Sequence, residues 1–182
     1  MDSLTQIAVG VATVEALAGK KLQNKSFDIG ALLGTVPDLD VWIGKLFAYE
    51  IELAFHRSFT HSILGIVLMS PLFAWLLRRW SPALSFTSWT VVVAATFSTH
   101  VLIDLFTSWG VQLLYPLTER FSFKTIFVVD IVYTLPWLIC LGVVFRSKQL
   151  AQRRKWLWRG FVTSSCYLIL TVLIKLYVVE KA

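Results

Sequence analysis

Charge is what this sequence has least of. Asp, Glu, Lys and Arg make up 15% of its 182 residues, where a water-soluble domain carries about 25%. With 57% hydrophobic residues and a mean hydropathy of +0.70, there is too little polar surface to cover a soluble core, so a bilayer is the expected solvent. Cysteine is nearly absent: Cys140 and Cys166 lie inside apolar runs and form no CxxC pair, which excludes a disulfide scaffold and leaves them as small hydrophobes. No GxSxG elbow, P-loop or HExxH helix occurs, removing the common serine-hydrolase, nucleotide and zincin signatures. The chain opens with an acidic residue, Asp2, where a secretory leader has a basic region, so a retained N-terminus is expected.

What is present is apolar length. Four strong apolar segments run over about 62 to 77, 86 to 108, 125 to 145 and 160 to 179. Each approaches or exceeds the roughly 20 residues that cross the hydrocarbon, and backbone at that depth must be helical to satisfy its own hydrogen bonds. Two weaker segments precede them, about 3 to 18 and 26 to 43, the second interrupted by Gly34 and by Pro37-Asp38-Leu39-Asp40. They read as short crossings, a re-entrant pair or interfacial helices, and Gly10, Ala12, Gly30, Ala31 and Gly34 suit close helix approach. The expected fold is all-α: one integral membrane domain over 1–182, with four strong transmembrane helices and a weaker helical pair in 1–43.

The formal charge of +6 comes from clustered basic residues: Lys20, Lys21 and Lys25; Arg78 and Arg79; and a run from 146 to 159. Alternating crossings place every cluster on one side, as the positive-inside rule requires, with 146–159 a basic cytoplasmic loop and both termini outside. Anionic phospholipid is the expected partner of that loop, and nucleic acid is not expected, because no soluble recognition module accompanies the charge.

In this topology the rare polar residues gather on the outer side. Asp38 and Asp40 end the second segment, His56 and His61 precede the third, and His100, Asp104 and Asp130 lie roughly 6 to 12 Å below the outer surface at 1.5 Å per helical residue. His100 and Asp104 are four apart and share a helix face, the spacing of two ligands or of a ligand and its orienting carboxylate. His56 and His61 are five apart, about 140° off alignment on a helix, so one must reach from a loop. Thr60 or Ser58 is the expected cap of the third helix. Arg57 is placed to hold an anion or pair with an acid. The helix is expected to distort at Gly34 and Pro37, where Asp38 and Asp40 can share one side of an unwound chain. Asp130 is a lone charge in an apolar run, the context in which a carboxylate is kept for function.

Three histidines and four aspartates match the donor set of zinc and allow one or two ions of zinc, manganese or iron. Metal-activated hydrolysis of a lipid-like, membrane-proximal substrate is the natural chemistry: Asp38 and Asp104 bind metal or take its proton, and Arg57 steadies an anionic headgroup. The competing reading is a non-catalytic metal-binding or transport-related bundle.

These motifs together are similar to those of the YdjM-like family of inner-membrane-associated metal-dependent hydrolases, some members of which belong to the LexA regulon. The resemblance runs through MDSLT at the start, GTVPDLD at 34 to 40, HRSFTHS at 56 to 62, HVLIDLFTSWG at 100 to 110 and a later aspartate, Asp130. It implies a multi-pass protein of the bacterial inner membrane, metal-site roles for Asp38, Asp40, His56, His61, His100, Asp104 and Asp130, and, through a proposed similarity to zinc-dependent phospholipase C enzymes, a phosphoester substrate. Many members carry histidine after MDSLT; here Gln6 stands in that place, and glutamine is a poor zinc ligand.

Overall fold

The computed structural model describes residues 1–44 and 56–181. Helix α1 (Ser3–Leu22) is capped by the Asp2 carboxylate and turns into α2 (Lys25–Thr35). A 3₁₀ turn (Val36–Leu39) leads to the short α3 (Asp40–Gly44), and a second 3₁₀ turn (Phe59–His61) leads into α4 (Ile63–Trp80). Then follow α5 (Phe86–Phe106), α6 (Ile131–Arg146) and α7 (Leu150–Lys181). Among the described residues the only β pairing is two isolated bridges, Thr107 with Ile126 and Val111 with Phe121.

The weak N-terminal pair is a tight hairpin at the centre of the molecule. A side chain at Gly10 would collide with the Gly30 carbonyl, and one at Gly34 with the Gln6 carbonyl, so the backbones touch in the way that small residues permit. Apolar cores flank it. Val14, Leu33, Leu77, Trp89 and Phe97 pack on one side, and Val9, Ile103, Tyr133, Trp137, Val144 and Leu157 on the other.

Among the described residues, three helices, α4, α5 and α7, are long and apolar enough to cross a bilayer. Half of the apolar window of α5 is buried inside the protein against 6% for α7, so α5 is the central post and α7 an outer one whose Ile169, Leu173 and Val178 face outward. The expected crossing over 125–145 is shorter than its apolar run. Its helix, α6, has 16 residues, which is about 24 Å and short of the ~30 Å hydrocarbon. The amides of Thr125 and Ile126 bond instead to the Phe106 carbonyl at the end of α5, holding the start of the run outside the helix. The basic stretch 146–159 also differs from a loop: from Leu150 it is the first part of α7.

The two ends of the bundle differ in charge. Lys20 and Lys21, Arg78 and Arg79, and Arg146 occupy the last turns of α1, α4 and α6. Arg153 of α7 joins them by bonding Asn24 Oδ1 and the Ser147 carbonyl. At this end Arg153 also forks onto Glu15, with Nε–Oε1 2.7 Å and Nη2–Oε2 2.8 Å. Nine residues earlier on α1, roughly 14 Å away, Gln6 meets Asp104 at the opposite end.

Candidate metal centre

The site begins with the break in α2. The helix ends at Thr35 and Pro37 stands at the start of the 3₁₀ turn; the Gly34 carbonyl lies in the helix's last turn, where carbonyls take donors from outside the helix. It accepts the Nδ1–H of His100 at 2.9 Å. A carbonyl can only accept, so the ring proton sits on Nδ1 and the Nε2 lone pair points into the bundle.

The HRSFTHS segment is organised by one buried carboxylate, Asp40. Its Oδ1 takes the Nδ1–H of His56 at 2.9 Å, and its Oδ2 takes the Arg57 amide at 3.0 Å and the Thr60 hydroxyl at 2.7 Å. Arg57 bends the turn with a positive φ of 61°. Because the Thr60 hydroxyl donates to Asp40, its oxygen accepts from His61 Nδ1 at 2.9 Å, and the His61 Nε2 lone pair is also aimed inward. A histidine whose second nitrogen is held through hydroxyl to carboxylate has the arrangement that orients metal ligands. Ser62, rather than Thr60 or Ser58, caps α4, accepting from the Gly65 amide; Thr60 is used for Asp40 instead.

These two lone pairs meet. His61 Nε2 and His100 Nε2 are 3.1 Å apart. Asp38 Oδ1 lies 3.3 and 3.4 Å from them, and Asp104 Oδ2 lies 3.3 and 3.8 Å from them. Asp104 is oriented by its other oxygen, Oδ1, which accepts from Gln6 Nε2 at 3.0 Å and from the Met1 amine. All four donor atoms fall within 4.8 Å of one another. A tetrahedral ion with arms of about 2.0–2.2 Å sets its donors about 3.3–3.6 Å apart, so the cluster already has nearly that spacing. Asp38 Oδ1, Asp104 Oδ2, Arg57 Nε and Gln6 Oε1 are buried without hydrogen-bond partners. Orphaned polar atoms are rare in folded interiors, and four in one place fit a group that binds there. Two imidazoles and two carboxylates suit zinc, manganese or iron.

The electrostatics agree. Burial alone would depress the His61 pKa and is the largest single influence, but the Asp104, Asp38 and Asp40 carboxylates together outweigh it and raise it to about 10. Burial pushes Asp38 upward, yet His100 and His61 hold it well below the usual carboxylate range. Asp40 is likewise held low against burial, by His56, His61 and Thr60.

Of the seven expected ligands, Asp38, His61, His100 and Asp104 converge. Asp40 and His56 form the supporting layer behind His61. Asp130 stands apart, capping α6 through the Tyr133 amide and accepting the Tyr167 hydroxyl at 2.8 Å. Arg57 is buried beside the cluster, with Nε 3.6 Å from Asp104 Oδ2 and Nη1 donating to Thr107 Oγ1 at 3.1 Å. Thr60 and Thr107 were not singled out from the sequence as site residues, although both fall inside the quoted motifs. Gln6 serves the site by orienting Asp104.

The family model described as YdjM inner membrane protein matches residues 1–178. The chain is also 27% identical over 130 residues to the uncharacterized protein YfhP of Bacillus subtilis (strain 168), covering 66% of this chain but only 38% of that relative's length. No solved structure matches.

Proposed function

The chain belongs to the YdjM family of inner membrane proteins, and we propose that it is a metal-dependent hydrolase of a phosphoester, with phospholipid as the substrate class. The observation that carries this reading is the convergence of His61 Nε2, His100 Nε2, Asp38 Oδ1 and Asp104 Oδ2 on one point. A bound divalent ion would supply Lewis acidity there, making water a nucleophile near neutral pH.

The residues divide the remaining work. His61, His100 and Asp104 are fully buried and would hold the ion, the three-ligand pattern of hydrolytic zinc sites. Asp38, the fourth donor atom and the one of the four that is not fully buried, at 16% exposed, would leave its place to the attacking water and accept that water's proton. Arg57 presents a permanent positive charge to the phosphoester oxygens, which a guanidinium matches in shape. Thr60 and Asp40 keep the His61 ring in its tautomer.

Two features favour hydrolysis at one face over passage through the bilayer. Along α1, the buried side chains between Gln6 and Glu15, namely Ala8, Val9, Val11, Ala12 and Val14, are apolar, and the hydroxyls at that level, Thr13 and Thr99, bond to each other. Glu15 itself is closed by Arg153 and by the Ser26 hydroxyl. Placing the basic end in the cytoplasm by the positive-inside rule puts the metal centre at the outer leaflet.

The test is turnover of a phospholipid and of a soluble phosphodiester by purified protein loaded with zinc or manganese. Wild type is expected to release the phosphorylated product, and Asp38→Asn to keep its metal while losing turnover. Equal rates for wild type and Asp38→Asn would overturn the assignment.

A further inference from the structure

Residues 107–130 cannot lie in hydrocarbon and are poorly suited to bulk water. Their backbone is irregular and only partly paired: Val111 exchanges bonds with Phe121, and the amides of Phe123 and Thr125 bond to carbonyls at the end of α5. Lipid-exposed irregular backbone does not occur within the hydrocarbon region. The side chains exclude the opposite extreme. Trp109, Leu117, Phe123 and Phe127 are exposed, Phe127 at 82%, and this apolar surface continues onto Ile131 and Val132 of α6. Arg120 and Lys124 lie among them, also exposed, and Lys175 of α7 ties to the layer by donating to the Phe123 carbonyl at 2.5 Å.

We propose that residues 107–130 are immersed in the headgroup layer of the leaflet nearest the metal centre, where aromatic rings settle and Lys124 meets lipid phosphates.

The layer is stapled to the site it covers. The Gln112 amide bonds to the Arg57 carbonyl at 3.0 Å, the Ile63 amide to the Leu113 carbonyl at 3.0 Å, and Arg120 Nη2 to the His56 carbonyl at 3.1 Å. Immersion of one therefore fixes the height of the other. The mouth at Asp38 and His56 opens at phosphate level, and a phosphoester arrives sideways, carried by its lipid. That consequence rests on the hydrolase reading; the immersion itself does not.

The experiment uses the full chain in nanodiscs of anionic phospholipid, with Cys140→Ala and Cys166→Ala, and an environment-sensitive fluorophore on Phe127→Cys or Leu117→Cys. Lipids bearing a nitroxide at the headgroup or high on the acyl chain are expected to quench strongly, and aqueous iodide weakly. Strong iodide quenching without nitroxide quenching would place the layer in water. Strongest quenching by a nitroxide at the chain end would place it in hydrocarbon. Either result overturns immersion. In a second arm, Phe127→Glu is expected to slow hydrolysis of phospholipid in vesicles while leaving a soluble phosphodiester unaffected; equal slowing of both, or of neither, overturns lateral delivery. Absence of turnover in the parent chain counts against the hydrolase alone, since the quenching arm needs no catalysis.

Discussion

His61 and His100, on different elements of the chain, face each other Nε2 to Nε2 at 3.1 Å, with each Nδ1 held from behind. Two lone pairs at that distance repel unless a cation or a proton lies between them. The raised His61 pKa means that a proton fills this role across neutral pH when metal is missing. Metal must displace it, so binding is expected to release protons and apparent affinity to climb with pH until about 10. In the metal-free chain the same interaction stabilises the fold fully below the ordinary imidazole pKa and is lost as pH rises through about 10. Titration calorimetry in buffers of different ionisation enthalpy measures the proton; zero release contradicts a proton held between the two rings.

Thr60→Val removes the hydroxyl that links His61 to Asp40 while leaving every direct donor in place. Loss of a supporting partner costs roughly 10- to 100-fold in metal affinity, and Asp40→Asn is expected to fall in the same range. Competition with a chromophoric chelator reads this directly. Unchanged affinity in both variants would mean that the His61 ring is oriented by something else.

Gly10 lies outside the cluster, yet it sets the position of a ligand. A side chain there would push on the Gly30 carbonyl and on Gly34, and the Gly34 carbonyl holds His100. Gly10→Val is expected to cost about 1–3 kcal/mol through overpacking and also to weaken metal binding. A thermal shift with full metal affinity would separate the hairpin from the site.

At the basic end, Arg153 and Glu15 form a buried fork. Removing either partner strands the other, at about 3–5 kcal/mol. Arg153→Met alone should therefore destabilise more than the double change with Glu15→Leu. Melting in detergent tests this; additive losses would show that the two act independently.

Much of the site was legible because its chemistry is rare in an apolar chain. The four-residue spacing of His100 and Asp104, the helix break at Pro37, and the need for His56 and His61 to reach from different local conformations all followed from elementary helix geometry, and the structure realises each. Asp130 could not be placed the same way. Its apolar surroundings look identical whether the carboxylate binds an ion or caps a helix, and only the turn of 125–130 onto the end of α5 makes it a cap. That turn also shortens α6, the helix of the 125–145 run, since hydropathy records burial in oil and not where a helix starts. Gln6 shows a further limit: a side chain unsuited to ligate directly still orients Asp104, a role set by three-dimensional proximity alone.

The most direct measurement is the metal content of the purified chain, by elemental analysis, for wild type and for His61→Ala, His100→Ala, Asp104→Ala and Asp130→Ala. One divalent ion per chain is expected in wild type and in Asp130→Ala, with loss in the other three. Wild type without bound metal, or full occupancy in His61→Ala and Asp104→Ala, would contradict a metal centre at this cluster.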